Sequence, residues 1–182
     1  KSLAQSDNVI SLKPKFGISG IKNANTFNLA YQGAFYAFNK NSGLNYFDHK
    51  LELRTNLSFT NRINAELFAD LNQGIEEPGA NNANLIMMEE FTERKSNKIG
   101  AKLYYGSFQS TGQLVFSIRN SLESFGNNQQ EFRDHNKLTT TGAFFYRVAP
   151  KSRVLFEASY SDISYDKNLA AIDQSSKLTE LL

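Results

Sequence analysis

The chain contains no cysteine, no tryptophan, only three prolines, and no apolar run of the length a transmembrane helix needs. Without cysteine there is no disulfide framework and no thiolate metal site, so redox chemistry through thiols is excluded. The charges nearly cancel: 20 Lys and Arg stand against 18 Asp and Glu, with none of the basic clustering that tracks a phosphate backbone, so nucleic acid is not an expected partner. No charged-then-apolar leader pattern is present over residues 1–12. What the chain has instead is aromatic residues, 15 Phe and 8 Tyr among 182, which is too many for a disordered segment. The mean hydropathy is negative, yet that does not exclude membrane insertion. A barrel strand crosses with about 9 to 11 residues that are apolar on one side only.

The apolar residues recur with period two. Over 49–59, His49, Leu51, Leu53, Thr55, Leu57 and Phe59 alternate with Lys50, Glu52, Arg54, Asn56 and Ser58. After Thr60-Asn61, Ile63, Ala65, Leu67, Ala69 and Leu71 alternate with Arg62, Asn64, Glu66, Phe68 and Asp70, which predicts a hairpin with one apolar face. The same alternation marks strands around Ile10–Ile18, Phe27–Phe35, Lys98–Tyr105, Leu114–Arg119, Lys137–Arg147 and Arg153–Tyr160. About eight strands are therefore expected, and residues 175–182 open another alternating segment.

The expected connections alternate in length. Those at 22–25, 60–61, 109–112 and 149–152 are short, and those at 39–48, 72–97 and 124–135 are long. Outer-membrane barrels have short periplasmic turns and long external loops, so the rhythm predicts an all-β, antiparallel, up-and-down transmembrane β-barrel, or a partial barrel from a larger one. With short turns placed in the periplasm, Lys1 falls on the external side, and no terminal aromatic closes the last segment. The expectation is a single barrel segment over residues 1–182, interior to a longer protein, with 72–97 as its long external loop.

The segments Leu12-Lys13-Pro14, Phe27-Asn28-Leu29-Ala30-Tyr31-Gln32-Gly33 and Tyr46-Phe47-Asp48-His49-Lys50-Leu51, followed by Arg62, resemble the type-2 family of outer-membrane β-barrel porins. Tyr146-Arg147-Val148-Ala149-Pro150-Lys151-Ser152 and Tyr160-Ser161-Asp162-Ile163-Ser164-Tyr165-Asp166 resemble that family's repeated hairpin, so the likeness covers most of residues 9–173. The resemblance implies a bacterial outer-membrane location and a porin-like conduit or scaffold in exopolysaccharide production and export. Implied partners are outer-membrane lipid and lipopolysaccharide, an acidic polysaccharide, or other proteins of an export or surface assembly. The alternative is a non-conducting structural barrel that binds a neighbour through its external loops.

The polar sides of the strands carry the candidate functional residues. Lys13, Lys15, Lys50, Arg54, Arg62, Lys98, Lys102, Arg119, Lys137, Arg147 and Arg153 are expected to face the lumen and outnumber Glu52, Glu66, Asp70, Glu123 and Glu157. Fixed charge of this bias would favour anions in a narrow channel. The same residues would equally serve as cross-strand ion pairs filling a closed interior. Phe27, Tyr31, Phe35, Phe59, Phe108, Phe116, Phe144, Tyr146, Phe156 and Tyr160 are expected on the lipid side. A soluble sandwich would instead bring Leu53, Leu67, Phe116 and Phe156 together across a dry centre.

The loop acids Glu76, Glu77, Glu89, Glu90 and Glu93, around Leu85-Ile86-Met87-Met88, lack the spacing of a calcium loop and read as a solvated or partner-binding loop. Asp48-His49 and Asp134-His135 repeat where long loops enter strands. Adjacent strand residues point to opposite faces, so the pairs do not make a metal site. No nucleophile elbow is present, and neither catalytic residues nor a cofactor are expected.

Overall fold

A computed structural model of the chain describes residues 7–76, 91–127, 129–166 and 174–181. These form one antiparallel sheet, built from β1 (Val9–Leu12), β2 (Lys15–Lys22), β3 (Asn25–Phe38), β4 (Tyr46–Ser58), β5 (Ile63–Ile75), β6 (Glu93–Tyr105), β7 (Gly112–Phe125), β8 (His135–Ala149), β9 (Ser152–Tyr165) and β10 (Ser176–Leu181). From β3 onward every strand pairs with its sequence neighbour, the simplest up-and-down order. Single 3-10 turns, Ser42–Leu44 and Glu131–Arg133, sit in two of the connections.

Strands β1 and β2 are one ribbon broken at a proline. Both pair with β3 in the same register, Leu12 opposite Phe35 and Lys15 opposite Gln32. Pro14 has no N–H to give, but its carbonyl still accepts Gly33 N at 2.9 Å. An edge strand tolerates this because one of its sides has no neighbour to bond. The expected eight ribbons are thus present, and β10 adds a ninth along β9.

Connections at one end span residues 23–24, 59–62, 106–111 and 150–151, and at the other 39–45, 76–92, 126–134 and 166–175. The alternation of short and long holds, but β5 and β6 run beyond the expected limits and shorten the 72–97 loop to 76–92. Gly106 makes one tight turn possible with φ at 97°, and a Cβ there would lie 2.7 Å from the carbonyl oxygen of Gly112.

The sheet is not closed. Its path ends at β1 on one side and β10 on the other, so the complete barrel that the alternation predicts is not formed by these strands alone. Nor is there a second layer among the described residues, where strand contacts run between sheet neighbours. Among the described residues the only buried apolar side chains are Ala34, Phe125 and Ala143, and no large side chain is fully buried. Leu53, Leu67, Phe116 and Phe156 remain 39%, 41%, 51% and 60% exposed, so the dry centre of a sandwich is absent among the described residues.

Candidate functional site

Register assigns the faces. Leu53 lies opposite Leu29 and Ala69, Leu67 opposite Thr55 and Ala101, and Phe116 opposite Leu103 and Gly142, which defines an apolar face across the sheet. Arg54 lies opposite Asn28 and Phe68, Lys102 opposite Glu66 and Ser117, and Lys137 opposite Ser121 and Ile163, on the other face. Every strand-borne member of the predicted basic set falls on this polar face, as do Glu52, Glu66, Asp70, Glu123 and Glu157. Lys13 sits in the break between β1 and β2, with its ammonium 5.1 Å from the Tyr36 ring centre. Arg62 lies in the 59–62 turn, where its carbonyl accepts Gly106 N.

On the central and later strands exposure is largely inverted relative to a soluble sheet, whereas β2 is exposed on both faces and β4 exposes Lys50 and Asn56 of the polar face while burying Thr55 of the other. On β7, Leu114, Phe116, Ile118 and Leu122 are exposed, whereas on the other face Gln113, Val115, Ser117, Ser121 and Glu123 are half-buried and Arg119 is exposed. On β9, Val154, Phe156, Ala158 and Tyr160 are exposed, whereas Arg153, Leu155, Glu157 and Ser159 are half-buried and Ser161 is buried. With only one layer, such a difference arises when the sheet curves toward its polar side and crowds the side chains there. A hollow of about 410 Å³ on that side draws Gln32, Lys50, Asn72, Arg94 and Ser96 from four strands.

Charges across this hollow side are compensated only in part. Arg54 approaches Asp70 Oδ1 at 2.7 Å as an ion pair, rests 5.6 Å from the Phe68 ring centre, and donates to the Leu53 carbonyl at 2.8 Å. Lys50 meets Glu52 at 3.1 Å, and Lys102 meets Glu66 at 3.8 Å while Tyr104 donates to the same carboxylate at 3.1 Å. Arg94, which the sequence reading did not single out, pairs with Glu123 at 2.9 Å. Lys98, Arg119 and Lys137 are not among the ion pairs of the described residues.

The long-loop rim is built by carboxylates. Glu76 and Arg133 form a two-pronged ion pair at 2.6 and 2.8 Å, with side chains only 7% and 17% exposed, and Arg133 stacks 4.0 Å from the Phe125 ring centre. The Arg133 hydrogen bonds hold the Glu76 carboxyl below the ordinary glutamate range despite its burial. Periodicity gave no signal for this pair, because both residues lie outside the strands. Asp48 Oδ1 accepts Ile75 N at 3.2 Å, and Asp134 Oδ1 accepts Phe125 N at 2.8 Å. The repeated Asp-His pairs are therefore rim clamps. Their imidazoles are engaged elsewhere, His49 Nδ1 with the Tyr31 hydroxyl and His135 Nδ1 with the Arg133 carbonyl, each at 2.9 Å. No group of three or more potential metal ligands occurs among the described residues, and Glu77, Glu89, Glu90 and 85–88 lie outside them.

The aromatic assignments need one correction. Phe27, Tyr31, Phe35, Phe116, Phe144, Tyr146, Phe156 and Tyr160 fall on the apolar face by register. Phe108, however, lies in the 106–111 turn with its ring centre 4.7 Å from the Arg153 guanidinium of the polar face. A cation attracts the ring's electron-rich side, which strand alternation does not register. Phe59 also lies in a turn, outside the ladder.

The chain matches no family model, no curated protein and no solved structure. No described helix is long and apolar enough to cross a membrane, which leaves crossing by strands open.

Proposed function

We propose that the sheet is part of the wall of an outer-membrane β-barrel, a porin-like conduit or scaffold whose cargo is an exopolysaccharide. The supporting observation is the inverted exposure: apolar side chains cover the open face and charged ones the crowded face. In water such an apolar surface is far larger than a soluble monomer tolerates, whereas in a bilayer it faces hydrocarbon. Backbone pairing across the whole meander fits the same setting, because strands can sit in lipid only when their hydrogen bonds are made within the sheet. The two unpaired edges would be satisfied by closure with further strands. Lipid and lipopolysaccharide would contact the apolar face.

The polysaccharide cargo rests on the resemblance of the hairpin motifs to the type-2 porin family, and the basic excess on the polar face suits an acidic polymer. Planar-bilayer recording of the full-length protein tests the conduit: anion-selective conductance is expected, and cation selectivity contradicts it. Deleting the gene and measuring extracellular polysaccharide tests the cargo, and an unchanged yield removes it.

The non-conducting reading has its own support. Lys50–Glu52, Arg54–Asp70, Lys102–Glu66 and Arg94–Glu123, together with the arginine–aromatic stacks, are interactions that would fill a closed interior. A correctly inserted protein without conductance would select it.

A further inference from the structure

At the short-turn end of the polar face, β8 and β9 set two arginines directly opposite one another, Arg147 against Arg153, beside a bulge at Val148. Like charges in this position destabilise a sheet unless something compensates them. Neither guanidinium belongs to an ion pair among the described residues. The nearest acid on the same face of β9 is Glu157, four residues away and therefore about 13 Å along the strand.

Neutral groups fix both side chains. Arg153 lies against two rings, 4.7 Å from the Phe108 centre and 4.9 Å from the Phe145 centre, and donates to Gln113 Oε1 at 3.3 Å. Arg147 donates to the Phe108 carbonyl at 2.8 Å. Arg153 Nε is buried with no hydrogen-bond partner. Arg94 Nε shares that condition, but its guanidinium is already matched to Glu123.

We propose that Arg147 and Arg153 form a binding site for an oxyanion, a phosphate group in the first instance, which bridges the two guanidiniums. Two planar forks held in place by rings and carbonyls lose little freedom on binding, and a tetrahedral oxyanion can accept from both at once. The bridge turns the repulsion across the β8–β9 pair into attraction. The site stands on its own geometry and goes beyond the conduit reading. The phosphate could be free or carried on a lipid headgroup.

The test uses the full-length protein in a phosphate-free non-ionic detergent, titrated calorimetrically with inorganic phosphate and, separately, with short-chain phosphatidate. One saturable site per chain is expected for at least one of them. Binding of free phosphate identifies a soluble source, and binding of phosphatidate alone a lipid source. Losing one charged hydrogen-bonding partner corresponds to about a tenfold or greater weakening, expected for R147Q and for R153Q. R147K should recover only part of the loss, since an ammonium cannot fork. Arg153→Gln removes a ring stack and Arg147→Gln does not, so if the former misfolds the latter decides. Absence of saturable binding of either probe, wild-type affinity in R147Q, or full recovery in R147K would overturn the site. Intact binding in a protein that forms no channel would sink the conduit reading alone.

Discussion

The two rims of the sheet are held by opposite chemistries. At the long-loop end carboxylates do the holding: Glu76 grips Arg133, and Asp48 and Asp134 accept backbone N–H groups of neighbouring strands. Asp7 extends the pattern by accepting Lys40 N and Asn41 N at 3.0 Å each. The short-turn end has no such carboxylates among its described contacts. Its arginines rest on rings, a carbonyl and an amide, and Gly106 N closes the neighbouring turn on the Arg62 carbonyl at 2.7 Å. Long connections lack the short hairpin's geometric restraint and need side-chain clamps. The short turns are closed by backbone bonds and by neutral side chains, Thr60 Oγ1 accepting Ile63 N at 3.0 Å and Ser110 Oγ accepting Ser107 N at 3.1 Å.

This contrast can be broken from either side. Glu76→Gln leaves a half-buried Arg133 without its counter-charge and should cost about 2 kcal/mol, seen as a lower unfolding midpoint and faster proteolysis confined to the long-loop end. Acid should act in the same place. Because the folded carboxyl of Glu76 titrates below its unfolded value, the pair contributes fully above the ordinary glutamate range, about pH 4.3, and the contribution disappears as pH falls through the folded value. Hydrogen exchange across that window should accelerate around 76 and 133 but not around 106–111. Asp134→Ala removes one acceptor from Phe125 N and should cost about 1 kcal/mol, measured by the same unfolding assay. The smallest effect belongs to the short-turn end. Phe108→Ala removes one of two rings from Arg153 and should cost about 0.5 kcal/mol, since Phe108 is 72% exposed and Phe145 remains.

The strands, their order and their two faces were legible in the sequence because period-two alternation is a local property. From Leu51 to Phe59 or Leu114 to Ile118, each residue reports its own side. Closure was not legible in the same way: alternation says which way side chains point, and it says nothing about whether β1 meets β10. The site was legible in part. Arg147 and Arg153 were expected on the polar face, but their direct opposition depends on a register set by the 150–151 turn and the bulge beside it. Glu76 and Arg133 sit in connections, where no period exists to reveal a pairing across 57 residues. Asp48 and Asp134 stood out as a repeat, and only the positions of neighbouring strand ends disclose what their carboxylates hold.

The central claim concerns the two faces, and the absence of cysteine from these 182 residues allows it to be tested residue by residue along β7. Single cysteines placed from 114 to 122 in the full-length protein, reconstituted in lipid vesicles, can be labelled with a fluorophore and quenched by nitroxide-bearing lipid or by a water-soluble quencher. The account predicts strict alternation, with Leu114→Cys, Phe116→Cys, Ile118→Cys and Leu122→Cys quenched from lipid, and Val115→Cys, Ser117→Cys, Arg119→Cys and Ser121→Cys from water. Water-soluble quenching at 116 and 118, or equal quenching on both sides of the strand, would contradict it.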